Sequence, residues 1–140
     1  MAELLLKKLI ACRERIERIR AKLPENAASI LTDDLLEAFL SFHIFLLVQD
    51  ASDIANHLVA ANGLGIPGSQ RDAFLALARA GTIARETAVA MGAAAGLRNR
   101  IAHAYGDVDP VRLVEEAPEG LAAIGRFLDE IGATISALGA

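Results

Sequence analysis

The densest set of chemically capable side chains in this 140-residue sequence lies in Leu97-Arg98-Asn99-Arg100-Ile101-Ala102-His103-Ala104-Tyr105-Gly106-Asp107-Val108-Asp109. Two guanidinium groups, an amide, an imidazole and a phenol fall near the end of an otherwise apolar helical pattern. Arginine holds phosphoryl oxygens with a planar fork of donors, and histidine exchanges a proton with an attacking or leaving oxygen, so the set suits phosphate chemistry. His103 falls in a last helical turn, where the negative end of the helix dipole favours imidazolium. At about 100° per residue, Asn99 and His103 share one helix face and Arg98 and Tyr105 another, while Arg98 and His103 stand roughly 140° apart. One straight helix does not join those two. Either it distorts near Gly106, or side chains from two copies combine across a twofold axis.

Other chemistries lack their residues. There is no Walker-type glycine loop with a lysine, no His-Glu-x-x-His, no Gly-x-Ser-x-Gly and no Cys-His pair at metal spacing. The single cysteine, Cys12, excludes an intrachain disulfide and reads as a core or seam residue in a reducing compartment. Asp53 and His57, four apart, are most simply a structural pair, although Asp53 is also a candidate for orienting the site. His43, within Phe42-His43-Ile44-Phe45, reads as a hydrogen-bonded core or interface group. Arg98 and Arg100 also fit the solvated end of an amphipathic helix, and Tyr105 fits a ring packed at that end.

The elements that must position these residues are all helical. Leu5, Leu9, Cys12, Ile16, Ile19 and Leu23 recur at steps of four and three, which predicts an amphipathic helix over 3–23. Thr32 with Asp33 and Asp34 predicts an N-cap and a helix from about Asp33 to Asn62, apolar nearly all round between Ala38 and Val48. Gly63-Leu-Gly65-Ile-Pro67-Gly68 is a loop, and Ser69 with Asp72 caps a short helix reaching about Ala80. The next helix runs from about Ile83 to Tyr105, with Gly106 as its C-cap and a run of small residues, Met91-Gly-Ala-Ala-Ala-Gly96, suited to close packing. Asp109-Pro110 restarts the chain, and a final stretch interrupted at Pro118 reaches about Leu138. No period-two pattern occurs, so the predicted fold is an all-α, up-down bundle of about four main helices plus short ones, in one domain over residues 1–140.

Composition sets limits on partners. Hydrophobic residues make up 54% of the chain, charged residues 23% and aromatics 4%, which is too apolar for a disordered chain and too poor in aromatics for a β-sandwich. The apolar run at 38–48 is shorter than the roughly 20 residues of a membrane span, and the N-terminus lacks a signal-peptide pattern, so the expected location is cytoplasmic with no membrane association. A net charge of −4 argues against neutralising many phosphates at once. That charge is uneven: residues 7–22 hold seven basic and two acidic side chains, and residues 107–130 two basic and seven acidic. A basic first helix of this kind is more often a solvated face, braced by pairs such as Glu14–Arg18, than an RNA platform.

Arg98-Asn99, three further residues, then His103-Ala104-Tyr105 resembles the Arg-polar-x-x-x-His-x-Tyr signature of HEPN proteins, specifically their HepT-like branch. Asp53-Ile-Ala-Asn-His57, Gly63-Leu-Gly65-Ile-Pro67, Arg71-Asp72-Ala73-Phe74 and Asp107-Val-Asp109 are also similar to that branch, in order, across residues 49–109. The resemblance implies a homodimeric helical bundle with metal-independent endoribonuclease activity and no cofactor, the toxin of a toxin–antitoxin pair. It assigns RNA cleavage to Arg98 and His103, with Asn99 and Asp53 in support and Arg100 as a substrate contact. Its implied partner is a minimal nucleotidyltransferase antitoxin that transfers AMP to Tyr105. Two rivals are a catalytically silent HEPN module that docks a nucleotidyltransferase, and a purely structural dimeric bundle.

Overall fold

The computed structural model describes residues 2–103 and 109–138, with the backbone alone at residues 2, 102, 103 and 138. Helix α1, Ala2–Lys22, buries the predicted stripe of Leu5, Leu9, Cys12, Ile16 and Ile19. A short 3-10 helix, Ala27–Thr32, follows where the sequence suggested only an interruption. Asn26 opens it by accepting from the Ala28 N–H at 3.0 Å, and Ile30 plugs the core. This turn uses Thr32, whose hydroxyl donates to the Ser29 carbonyl at 3.2 Å, so Asp33 takes over as cap of the next helix. The Asp33 carboxylate accepts from the Leu36 N–H at 3.0 Å.

Helix α2, Asp34–Ala61, is the central element, packed by α1, α3, α4 and α5. By length and apolarity it would pass for a membrane-spanning helix, a longer apolar window than the one at 38–48. Within the bundle, Leu40, Ile44, Leu47, Ala51, Ile54 and Leu58 are buried against its neighbours. Its N-terminal half is left partly uncovered, with Phe42 58% and Leu35 86% exposed.

Helices α2 and α3 (Gln70–Arg79) end in the same way. Gly63 and Gly81 take φ of 63° and 81°, and the following N–H groups reach back to Val59 and Leu77 at 3.0 and 2.9 Å. These are Schellman closures, which need a residue that tolerates left-handed backbone. Ser69 caps α3 through the Asp72 N–H at 3.1 Å, as predicted.

Helix α4, Arg85–His103, is capped from a distance: Glu130 accepts from the Ala84 N–H at 2.6 Å and from the Thr87 hydroxyl at 2.7 Å. Glu130 belongs to α5, Pro110–Leu138, which Asp109 caps through the N–H groups of Val111 and Arg112. The expected interruption at Pro118 does not occur: α5 is continuous through it. Pro118 is exposed, and Leu113, Val114, Ala117, Leu121, Ile124, Leu128 and Ile131 keep one buried stripe on both sides of it. Burial of that stripe offsets the missing N–H. Phe74 of α3 meets Phe127 of α5 edge-on, with centroids 5.5 Å apart. The architecture is thus the expected helical bundle, four long helices with α3 and one 3-10 turn between them.

Candidate active site

Helical period places Phe45, Gln49 and Asp53 one turn apart along α2, and α4 lays Arg98 across them. The Arg98 Nη1 donates to the Gln49 Oε1 at 2.6 Å, and its Nη2 donates to the Asn99 Oδ1. The guanidinium carbon stands 5.7 Å from the centre of the Phe45 ring, within cation–π range. The Gln49 Nε2 donates in turn to the Asp53 Oδ1 at 3.1 Å, and the Asp53 Oδ2 lies 3.6 Å from the Lys8 Nζ of α1. Arg98 is half-buried, and its Nε is shut from solvent with no hydrogen-bond partner among the described residues.

Of the residues singled out in the sequence, the fold therefore connects Arg98, Asn99 and Asp53. The connecting residue, Gln49, was not among them. Its signal was available as an amide at i−4 from Asp53 inside an apolar helix, but only the neighbouring helix gives that amide a purpose. Asp53 and His57 line a shallow cavity of about 340 Å³ with Lys8, Asn56 and Ala60. Asp53 engages Gln49 and Lys8 there, in place of the expected pairing with His57.

The other candidates fall elsewhere. The backbone puts His103 on α4 one turn beyond Asn99, and its side chain lies outside the described set. Tyr105 and Gly106 lie outside the described residues. Arg100 does not share the Arg98 face. It lines a groove of about 490 Å³ between α4 and α5, with Arg71, Arg112, Glu116 and a small-residue wall that includes Ala90, Ala93, Ala94 and Gly96. The small-residue run thus leaves an opening, and Arg71 lies against Gly92, where an added Cβ would sit 3.2 Å from its Cγ.

The remaining polar groups are structural. Arg15 donates to the Nδ1 of His43, whose ring centre lies 4.2 Å from that of Phe39. Burial first, then the charges of Arg15 and Arg18, lowers the His43 pKa. The Cys12 thiol is buried and pushed up to about 12, chiefly by desolvation, which keeps it from acting as a nucleophile. The first helix is braced by Arg13 to Asp129 and Arg20 to Glu17, both 2.7 Å, and the suggested Glu14–Arg18 pair is not among the ion pairs of the described residues. Among the described residues no three His, Cys, Asp or Glu side chains gather as metal ligands would.

The half-buried Arg98, held beside Asn99 near the end of α4, stands five residues before the backbone position of His103. Residues 12–131 match the family model described as ribonuclease HepT-like. The chain belongs to the HepT-like family. An mRNA nuclease HepT of Shewanella oneidensis is 26% identical to it over 133 residues, 95% of this chain and 99% of that protein. A tRNA nuclease HepT of Aphanizomenon flos-aquae is 32% identical over 87 residues, 59% of each. The solved structure of a tri-AMPylated Shewanella oneidensis HEPN toxin in complex with MNT antitoxin superposes with a TM-score of 0.86 at 26% identity, covering 95% of this chain and 99% of that one. A toxin–antitoxin structure with AMP-PNP gives a TM-score of 0.77 at 27% identity, covering 94% and 98%. This HepT-like chain thus shares both sequence and fold, along nearly its whole length, with such toxins.

Proposed function

We propose that this HepT-like protein is an endoribonuclease toxin that cleaves RNA without a metal, through Arg98 and His103. What carries the reading is the guanidinium of Arg98, held by neutral partners beside Asn99 near the end of α4, in a chain of the ribonuclease HepT-like family. In cleavage by this route the ribose 2′-hydroxyl gives up its proton as its oxygen bonds to phosphorus, and the bond to the 5′-oxygen breaks to leave a 2′,3′-cyclic phosphate. Negative charge grows on the non-bridging oxygens, and the departing oxygen takes up a proton. Arg98 stabilises that charge, and His103 moves the proton. Asn99 steadies Arg98 from the next position, and Asp53 supports the site from α2. Arg100, on the other flank of α4, contacts the RNA backbone away from the scissile phosphate.

The protein works as a homodimer in the cytoplasm. The uncovered part of α2 around Leu35 and Phe42 supports the dimer, because exposed aromatic and aliphatic side chains on a central helix suit a self-complementary contact. A minimal nucleotidyltransferase antitoxin neutralises it by placing AMP on Tyr105, whose bulk and negative charge would exclude RNA beside His103.

Incubation of the purified protein with single-stranded RNA in excess EDTA tests the reaction. Cleavage is expected from the wild type, and none from Arg98→Ala or His103→Ala at unchanged helicity and association state. Equal cleavage by His103→Ala would sink the mechanism, and a wild type that binds the antitoxin but cleaves nothing would identify a silent docking module. Intact mass after reaction with the antitoxin and ATP should rise in AMP units, and Tyr105→Phe should not gain them.

A further inference from the structure

We propose that Gln49 is a positioning residue for RNA cleavage, a neutral clamp that fixes Arg98 while leaving its positive charge uncompensated for the phosphate. The proposal rests on the reading of Arg98 given above and adds a residue to it. To act on a phosphorane, the Arg98 guanidinium must be both still and unneutralised. Two neutral acceptors, the Gln49 Oε1 at 2.6 Å and the Asn99 Oδ1, take one donor from each terminal nitrogen. The Phe45 ring lies below. A carboxylate in place of Gln49 would bind Arg98 more tightly and cancel its charge.

The polarity of the clamp is itself fixed. An amide presents an acceptor at one end and donors at the other, and a lone glutamine has little reason to choose between its two orientations. Arg98 offers only donors and the Asp53 carboxylate only acceptors, so the amide bridges them in one sense alone. The Gln49 Nε2 reaches the Asp53 Oδ1 at 3.1 Å, which turns the Gln49 oxygen towards Arg98. Lys8 stands 3.6 Å from the other Asp53 oxygen and balances it, so the series Lys8, Asp53, Gln49, Arg98 carries one net positive charge, at the Arg98 end. Asp53 thereby acts on Arg98 through Gln49 without neutralising it.

The test compares wild type, Gln49→Leu, the near-isosteric Gln49→Glu, Asp53→Asn and the double variant Gln49→Leu/Asp53→Asn on one single-stranded RNA, with kcat and KM separated. Gln49→Leu should lower kcat by about 10- to 100-fold with a smaller change in KM, since it frees Arg98 without removing its charge. Gln49→Glu keeps the acceptor and should lower kcat at least as far. It should also weaken RNA binding, measured in a His103→Ala background, which a purely structural role would not do. Asp53→Asn should lower kcat in the wild type but add little to Gln49→Leu, because it acts through the same amide. If Gln49→Leu fails to fold, Gln49→Glu and its RNA-binding arm decide alone. Wild-type kcat in both Gln49 variants, with Arg98→Ala inactive, overturns the clamp and leaves the site standing. Wild-type cleavage by Arg98→Ala would instead remove the site reading itself.

Discussion

Arg98 is useful here because its planar fork can be held at two corners and still present donors to a phosphate. Lysine offers a single rotating ammonium, so Arg98→Lys keeps the charge but cannot span Gln49 and Asn99 together. We expect that variant to retain the helical signal in circular dichroism while its cleavage rate falls by about 10- to 100-fold. Arg98 and Asn99 were legible in the sequence because the signature's spacing lies along one helix, α4, and Asp53 because the segment around it on α2 resembles the family's. Gln49 was not, since its function depends on which helix lies beside it. His43 gives a second residue-level outcome. Its folded pKa is lowered from an ordinary value of about 6.5, chiefly by burial and then by Arg15 and Arg18. Between those two values the unfolded chain binds the extra proton, so stability falls as pH drops below about 6.5 and the loss levels off under the lowered folded value. Urea unfolding between pH 7.5 and 5 should show this slope in the wild type, and His43→Gln should flatten it.

The ends of the helices show how far local signals reach. Asp33, Ser69 and Asp109 all cap the helices that follow them through their own side chains, and each could be read within a residue of its place. Helix α4 is different, because the groups at its start are satisfied by Glu130 from α5, 46 residues away from Ala84. Glu130→Ala should therefore destabilise the bundle by about 1–2 kcal/mol, read as a lower urea midpoint, by removing a cap that no neighbouring residue replaces. Pro118 is the opposite case, a local stop signal overruled by packing. With its helix already formed on both sides, Pro118→Ala should restore a backbone donor and raise stability by about 1–3 kcal/mol. An unchanged urea midpoint would mean that α5 bends there to relieve the cost.

For the whole molecule, a net charge of −4 first argued against a polyanion partner. The fold narrows that argument, since a nuclease needs only a local cation and Arg98 is held by neutral groups. RNA binding should accordingly be modest and salt-sensitive. Assembly is the second property at this scale. Phe42 is 58% exposed on the central helix, so Phe42→Glu costs little within one copy. On the homodimer proposed above, it should shift the protein from dimer to monomer in sedimentation velocity. Where cleavage needs both copies, activity should fall in parallel and recover at higher protein concentration.

The sequence by itself determined the helical class, most of the boundaries, the buried stripes and the residues of the signature, because helix period and capping act over a few positions of the chain. Only the tertiary structure decided that Pro118 lies within a continuous helix, that Glu130 caps α4, that Arg98 and Arg100 serve opposite flanks, and that Gln49 joins Asp53 to Arg98. Those outcomes depend on which surfaces of distant helices meet. Burial of a shared stripe can outweigh a local break, and a hydrogen bond between helices forms only once packing has placed donor and acceptor within about 3 Å.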